Sequence, residues 1–258
     1  MHARFNLDPE SQKWAKYIPT GQQLHSANKI VVETQLKVFE NADGHLDAEK
    51  IINNWFPTIK ADVFLSHSHK DENKVIGLAG WLKEEFGLNS FIDSTVWGYS
   101  DKLLRLIDDI YCKNSVKTMY LYDKRNRSTS HVHMMLSTAL MSMIDQCECI
   151  IFVNTPNSFK PTDYINGQGK TESPWIYSEI AMTRMLRQRS SLEHRHKSQV
   201  IIANEQFHEL RVSYPTDLLH LTPLSTGDLD AWAQKEASQY NGADALDSLY
   251  EMKRQYGN

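Results

Sequence analysis

The sequence predicts an α/β protein with a parallel sheet that helices cover on both faces. Short apolar runs of about four or five residues alternate along the chain with longer segments whose apolar residues recur at helical spacing. Such alternation is typical of parallel sheets, and runs that are apolar throughout suit strands buried on both sides. In these sheets the ligand crevice lies at the carboxyl ends of the strands, so we expect the functional residues there.

Length and composition limit the class of protein. The chain has 258 residues, of which 41% are hydrophobic, and this is enough for one large domain that needs no disulfide or metal to fold. Its 28 Lys and Arg against 32 Asp and Glu do not favour a nucleic-acid partner. The three cysteines, the absence of a secretion signal and the absence of a long apolar run predict a cytoplasmic protein with no membrane partner.

The first part of the chain differs from the rest and predicts a helical N-terminal extension over residues 1–58. Residues 1–28 are polar with scattered aromatic side chains. Two helical stretches follow, at 30–39 and 46–56, and Pro57 ends the second because proline cannot continue a helix.

The main domain is predicted over residues 59–225, and a helical C-terminal tail over 226–258. Asp71 is a candidate helix N-cap, Gly87 suits a helix end, and Ser173-Pro174 opens a helix with a hydroxyl cap and proline in the first turn. The predicted elements of the domain are strand 61–66, helix 71–87, strand 90–93, helix 103–110, an irregular stretch 112–130 with a candidate strand at 119–122, helix 132–144, strand 149–153, helix 173–189, strand 200–203 and a strand from about 221.

Polar and aromatic residues that follow the predicted strands are the candidate site residues. Ser66, His67 and Ser68 follow the first strand, and Asp93 with a loop containing Trp97 follows the second. On the helix after the third strand, Trp175 and Glu179 are four residues apart and therefore share one face.

Three segments of the chain resemble Toll/interleukin-1 receptor (TIR) domains. The first, 62–68 with Asp71, resembles the first signature box of that family, and 91–93 with its following loop resembles the second strand and the loop after it. Trp175-x-x-x-Glu179, preceded by Ser173-Pro174, resembles the segment that holds the catalytic glutamate of NAD-cleaving TIR enzymes. The chain is similar to bacterial antiphage TIR proteins of the Thoeris type, but it departs from the family in a predicted insertion at about 99–130 and in lacking the usual proline in the loop after the second strand.

The resemblance implies a flavodoxin-like fold and cleavage of the nicotinamide–ribose bond of NAD+, with NAD+ as substrate and no cofactor or metal. The product would be ADP-ribose or a cyclised or conjugated form of it, sensed by a downstream effector. Glu179 would stabilise the positive charge that develops on the ribose. The substrate-binding residues would be Ser66, His67, Ser68, Asp93, Trp97 and Trp175.

The resemblance also implies self-association through the TIR domain. We expect Glu179 in a surface cleft, beside a mobile loop at 94–100 that leaves the crevice open in a single protomer. Covering of that crevice by a neighbour would exclude water from the developing charge.

Structural roles remain open for each candidate residue. Trp175 could be a core residue, His67 and Asp93 could order a loop, and Glu179 could be a solvated helix residue. Two other functions remain open as well. One is a nucleoside deoxyribosyltransferase-like hydrolase, a class that also uses a glutamate on a related α/β fold, and the other is a non-catalytic TIR module that works by self-association. The basic residues from Arg184 to Lys197 suit a solvated helix end or a site for a phosphate or partner.

Overall fold

The computed structural model describes residues 1–10, 13–27, 32–158, 168–171, 173–192, 214–236 and 242–255, and only the backbone at 95–98, 168–170 and 214–217. Five parallel strands form one sheet in the order β3-β2-β4-β1-β7, where the strands are β1 (Ala3–Asp8), β2 (Val63–Ser66), β3 (Ser90–Ile92), β4 (Cys149–Val153) and β7 (Thr222–Ser225). Two further strands, β5 (Gln168–Thr171) and β6 (Tyr214–Asp217), pair antiparallel. The prediction of an α/β protein with a parallel sheet is confirmed.

Eight α-helices are described, and they cover both faces of the sheet. Along β2, Val63 and Leu65 enter one core, while Phe64 enters the core on the opposite face. The helices are α1 (Ile18–Ala27), α2 (Ala48–Trp55), α3 (Glu72–Phe86), α4 (Ser94–Ile107), α5 (Tyr122–Gln146), α6 (Pro174–Met185), α7 (Thr226–Glu236) and α8 (Ala245–Gln255). The first core contains residues of α3, α7 and α8, and the second contains residues of α2, α4 and α5. None of the described helices has the length and apolar character needed to span a membrane.

The beginning of the chain is a strand of the main sheet, so the prediction of a helical extension over 1–58 is wrong there. Strand β1 lies between β4 and β7, with Ala3 opposite Cys149 and Leu7 opposite both Val153 and Leu224. Phe5 and Leu7 are buried, whereas Asn6 between them is only half-buried. Because the sheet takes strands from both sides of residue 58, that position does not separate two independent units.

Helix α1 packs on α3 at unusually short range. A Cβ atom added to Gly80 of α3 would overlap the carbonyl oxygen of Tyr17 and lie 2.8 Å from the amide nitrogen of Gly21. One added to Gly77 would lie 2.7 Å from the carbonyl oxygen of Trp14. The backbones can approach this closely only because glycine has no side chain.

Two segments that were expected to be irregular are helical. The predicted loop at 94–100 is the start of α4, because Tyr99 extends the apolar face of Leu103 and Ile107 by one turn and packs on the same core. Residues 122–130 form the first turns of α5, which are exposed as far as Arg127, and the guanidinium of Arg125 lies 2.8 Å from the Asp108 carboxylate. These turns were not predicted to be helical because their sequence has no apolar stripe.

Other predicted boundaries are also corrected. In the segment expected to be a helix at 30–39, the described residues 32–39 contain only a 3-10 turn at Leu36–Phe39. The Glu33 amide donates instead to the side chain of Asn54 on α2. The candidate strand at 119–122 is reduced to one bridge between Lys113 and Tyr120. Helix α6 ends at Met185, four residues before the predicted end. The strand predicted at 200–203 lies outside the described residues.

Candidate functional site

The candidate site lies where the connections of the sheet diverge. From β2 the chain passes through α3 to β3 on one side, and then through α4 and α5, on the other face, to β4. The carboxyl ends of β2 and β4 therefore border a topological switch point, which is where open α/β sheets bind ligands. Ser66 is the last residue of β2, and it pairs with Phe152 of β4.

Helix α6 brings Glu179 to this point. The hydroxyl of Ser173 accepts a hydrogen bond from the Ile176 amide at 3.3 Å, and Pro174 occupies the first turn, as the sequence predicts. One and a half turns further along, the Ser66 hydroxyl donates to Oε2 of Glu179 at 2.5 Å. The contact joins residues 113 positions apart in the sequence.

Glu179 is buried, not set in an open cleft. Its exposed fraction is 1%, and Oε1 has no hydrogen-bond partner among the described residues. Burial raises the pKa of Glu179 well above its usual value, the nearby charge of Asp93 raises it further, and the hydrogen bond from Ser66 opposes both effects. The carboxyl therefore holds its proton to higher pH than an exposed glutamate does.

His67 and Asp93 form a second buried pair in the same cluster. Nδ1 of His67 lies 2.6 Å from Oδ1 of Asp93, and both side chains are almost fully buried. Burial by itself lowers the pKa of His67, but the charge of Asp93 and hydrogen bonding to it outweigh this effect, so the net shift is upward. A protonated His67 neutralises Asp93, and a protonated Glu179 adds no charge, so the cluster can be electrically neutral.

Asp71 secures the loop that follows β4. Its carboxylate accepts hydrogen bonds from the Thr155 hydroxyl at 2.5 Å and from the Asn157 amide at 3.1 Å. Asp71 does precede α3, but its side chain makes no capping hydrogen bond. It therefore joins two strand-end loops beside the switch point instead of capping the helix as predicted.

The structure brings together four of the seven predicted site residues, namely Ser66, His67, Asp93 and Glu179. Ser68 is half-buried and precedes a 3-10 turn, and the described contacts of Glu179 do not include it. Trp175 packs edge-on against His133 of α5 at 5.5 Å, so it contributes to the core between α6 and α5. Trp97 belongs to the first turns of α4, and its side chain is outside the described ones.

Sequence reasoning missed the apolar surroundings of Glu179. Phe152, Ile180, Thr183 and Leu221 enclose a cavity of about 10 Å³ beside it. A cavity of this size has room for about one water molecule and no more. The apolar residues on both sides of Glu179 in α6 indicate that it could be buried. They do not show that Leu221, from another segment, closes the cavity.

The raised pKa of Glu179 predicts how stability depends on pH. The unfolded state releases this proton near pH ~4.3, whereas the folded state keeps it to higher pH. The contribution of the group to stability is therefore fully present below the unfolded pKa and is lost as the pH rises through the folded pKa. We expect the melting temperature of Glu179→Gln to exceed that of the wild type by a margin that grows between pH about 5 and about 8. Parallel melting curves for the two proteins across this range would contradict the assignment.

Comparisons of the chain with models of protein families, with curated proteins and with solved structures return no match.

Proposed function

We propose that this protein is a TIR enzyme that cleaves the nicotinamide–ribose bond of NAD+, with Glu179 as the catalytic carboxylate. The observation that carries the proposal is a buried carboxyl group, without an ion-pair cation of its own in the described structure, at the switch point of a parallel sheet. A fold keeps a glutamate in such an unfavourable environment more often for function than for stability. The resemblance of 62–68, 91–93 and 173–179 to TIR motifs supplies the reaction.

The chemistry needs one carboxylate and no general acid. The C1′–N bond breaks, its electrons neutralise the pyridinium nitrogen, and nicotinamide leaves as a neutral molecule. The ribose is left with oxocarbenium charge until water, or another nucleophile, adds at C1′ and loses a proton. An ionised Glu179 beside C1′ would stabilise that charge.

The substrate itself favours the ionised form of Glu179. In the closed site the pKa of Glu179 is raised by burial and by Asp93. The pyridinium of NAD+ carries a positive charge, and an opposite charge at close range lowers the pKa of a carboxyl group. Binding of NAD+ would therefore release the proton that the closed site retains.

Access to Glu179 requires the site to open, which reverses the expectation of an open crevice in a single protomer. The start of α4 is a candidate for the moving part, because it directly follows Asp93 of the site and its Ser94 is joined to Glu72 at the start of α3 by a side-chain hydrogen bond of 2.9 Å. In this proposal, self-association of TIR domains would stabilise the open arrangement. The reaction would act in bacterial antiphage signalling, with a downstream effector that senses the nucleotide product.

Product analysis tests the proposal directly. Purified protein is incubated with NAD+ across a dilution series, and the mixture is separated by chromatography. We expect nicotinamide and an ADP-ribose product in equal amounts, with a turnover per protomer that rises with protein concentration. A parallel incubation with deoxynucleosides covers the alternative hydrolase. Release of a free base from these nucleosides, with NAD+ left intact, would favour a deoxyribosyltransferase-like enzyme and contradict NAD+ cleavage.

A second candidate, a non-catalytic self-association module, is favoured by an exposed apolar patch between α4 and α5. Several large apolar side chains project from this segment, and Val116, Met119 and Tyr122 are each about two-thirds exposed or more, at 70%, 68% and 71%. A group of exposed apolar side chains this close in the sequence suits an interaction surface. The members of the patch are Ile110, Tyr111, Val116, Met119, Tyr120, Leu121 and Tyr122.

We expect Met119→Asp to weaken self-association, because a carboxylate in an apolar contact must lose its hydration. Sedimentation velocity measures the effect, with the exposed Lys60→Ala as a control of unchanged behaviour. Association that is unaffected by Met119→Asp would exclude this patch as the interface. Association without any NAD+ cleavage would favour the non-catalytic module.

A further inference from the structure

A second pocket lies at the opposite end of the sheet from the carboxyl end of β2 that contacts Glu179. It has a volume of about 560 Å³ and opens beside the amino-terminal residues of β1 and β7. Pockets of this volume accommodate small metabolites. Its lining consists of His2, Ala3, Arg4, Phe5, Gln188, His220, Thr222, Tyr250, Lys253 and Arg254.

The lining is basic. It contains two arginines, one lysine and two histidines, and no Asp or Glu is among the lining residues. Lys253 is neutralised by Asp228, whose carboxylate lies 3.0 Å from its ammonium group. Arg4 and Arg254 have no carboxylate partner among the described residues, so the pocket retains two uncompensated guanidinium charges.

Arg4 is the more informative of the two arginines because it is partly buried. One guanidinium nitrogen donates to the backbone carbonyl oxygen of Thr183 on α6, which fixes the side chain in place. Burial lowers the pKa of the Arg4 guanidinium, because it removes part of the water around the charge. A guanidinium has five N–H donors, so this carbonyl contact leaves donors for a ligand.

The two histidines are held by hydrogen bonds that define their tautomers. Nε of Arg184 donates to Nδ1 of His220 at 3.1 Å, so His220 is neutral and carries its proton on Nε2, 2.9 Å from the Thr183 hydroxyl. Nδ1 of His2 lies 2.6 Å from the carbonyl oxygen of Arg189 and must therefore carry a proton. These contacts orient both imidazole rings in the wall of the pocket.

One side of the pocket is aromatic. The ring of Tyr250 lies 4.7 Å from that of His2 and is stacked on Phe5 with a centroid distance of 6.3 Å. Its hydroxyl donates to Glu148 at 3.2 Å, which fixes the orientation of the ring. Phe5 and Tyr250 are buried, so these rings form the back wall of the pocket.

We propose that this pocket binds the phosphate group of a small metabolite, with Arg4 and Arg254 as the principal ligands. Guanidinium groups match the geometry of phosphate oxygens and form charge-assisted hydrogen bonds with them. The proposal is independent of NAD+ cleavage, since it concerns other residues at the other end of the sheet. Thr183, which contacts both Arg4 and His220, positions these two side chains from α6.

Calorimetric titration of the full chain with inorganic phosphate, pyrophosphate and AMP tests the proposal. We expect saturable binding of at least one of these probes to the wild type and to Glu179→Gln alike. Arg254→Ala and Arg4→Gln should each weaken binding about tenfold or more, because each removes one charged phosphate ligand. Arg105→Ala, which removes an exposed helix arginine outside the pocket, should leave binding unchanged.

Each result decides the proposal. Tighter binding of AMP than of phosphate would support a nucleotide ligand, and equal binding would support recognition of phosphate alone. If Arg4→Gln does not fold, Arg254→Ala still tests the proposal, because Arg254 is exposed and its removal should not affect folding. Absence of saturable binding by all three probes would overturn the proposal. So would binding that Arg254→Ala leaves intact, or that Arg105→Ala weakens equally.

Discussion

Glu179→Gln should abolish nearly all NAD+ cleavage while leaving the fold intact. The amide keeps the shape of the side chain and can still bond to the Ser66 hydroxyl, which now lies 2.5 Å from Oε2. It cannot become negative, so it gives no charge stabilisation to the oxocarbenium-like transition state. Loss of one preorganised electrostatic partner of this kind reduces kcat about 10²–10³-fold. The measurement is the initial rate of nicotinamide release at saturating NAD+.

A matched control is Glu49→Gln, the same substitution at an exposed position in the first turn of α2. We expect its rate to equal that of the wild type. Circular dichroism and melting temperature verify that both variants are folded. A folded Glu179→Gln that retains most of the wild-type rate would remove Glu179 from the reaction and leave it a structural role.

Gly80→Ala should cause a large loss of stability although it adds only one methyl group. The new methyl group would overlap the carbonyl oxygen of Tyr17 and press on the amide of Gly21, and both are backbone atoms that cannot rotate away. Overpacking of this kind costs about 3 kcal/mol, and the better helix propensity of alanine returns about 1 kcal/mol. We expect the free energy of unfolding to fall by about 2 kcal/mol, as measured by urea denaturation.

Gly227→Ala is the control for this substitution. Gly227 lies in the first turn of α7, and a Cβ atom there would meet only the Ser225 hydroxyl, at an ordinary distance of 3.6 Å. We expect no loss of stability from it. If Gly80→Ala unfolded at the same urea concentration as the wild type, the close approach of α1 and α3 would not exist in solution.

The sequence predicts correctly those elements whose local residue pattern agrees with their tertiary environment. Strands β2 and β4 are apolar throughout because both of their faces are covered, and that pattern is visible in the residues themselves. The N-terminus of α6 is equally local, since Ser173 and Pro174 define it within one turn. The proximity of Ser66 and Asp93 follows from the rule that parallel strands place their carboxyl ends at one edge, whereas Glu179 reaches them from helix α6.

Strand β1 shows where the prediction reached its limit. Phe5 and Leu7 alternate with Arg4 and Asn6, and this is the period of a half-buried strand, but two apolar residues are a weak signal. The position of the strand in the sheet depends on long-range pairing with β4 and β7, and residues 3–8 by themselves do not indicate these partners. The Gly77 and Gly80 pair in α3 was a stronger signal, since small residues three apart on one helix face suit a close helical neighbour.

The sequence by itself determined the α/β class, the strands β2, β3 and β4, and the identity of the polar residues at the ends of β2 and β3. Only the tertiary structure decided that an N-terminal strand enters the sheet, that Trp175 packs against α5, and that Glu179 is enclosed. The physical reason is that period and capping are properties of neighbouring residues. Burial and the resulting pKa shift of Glu179 depend on which distant segments surround it, namely the ends of β2 and β4 and the residues around Leu221.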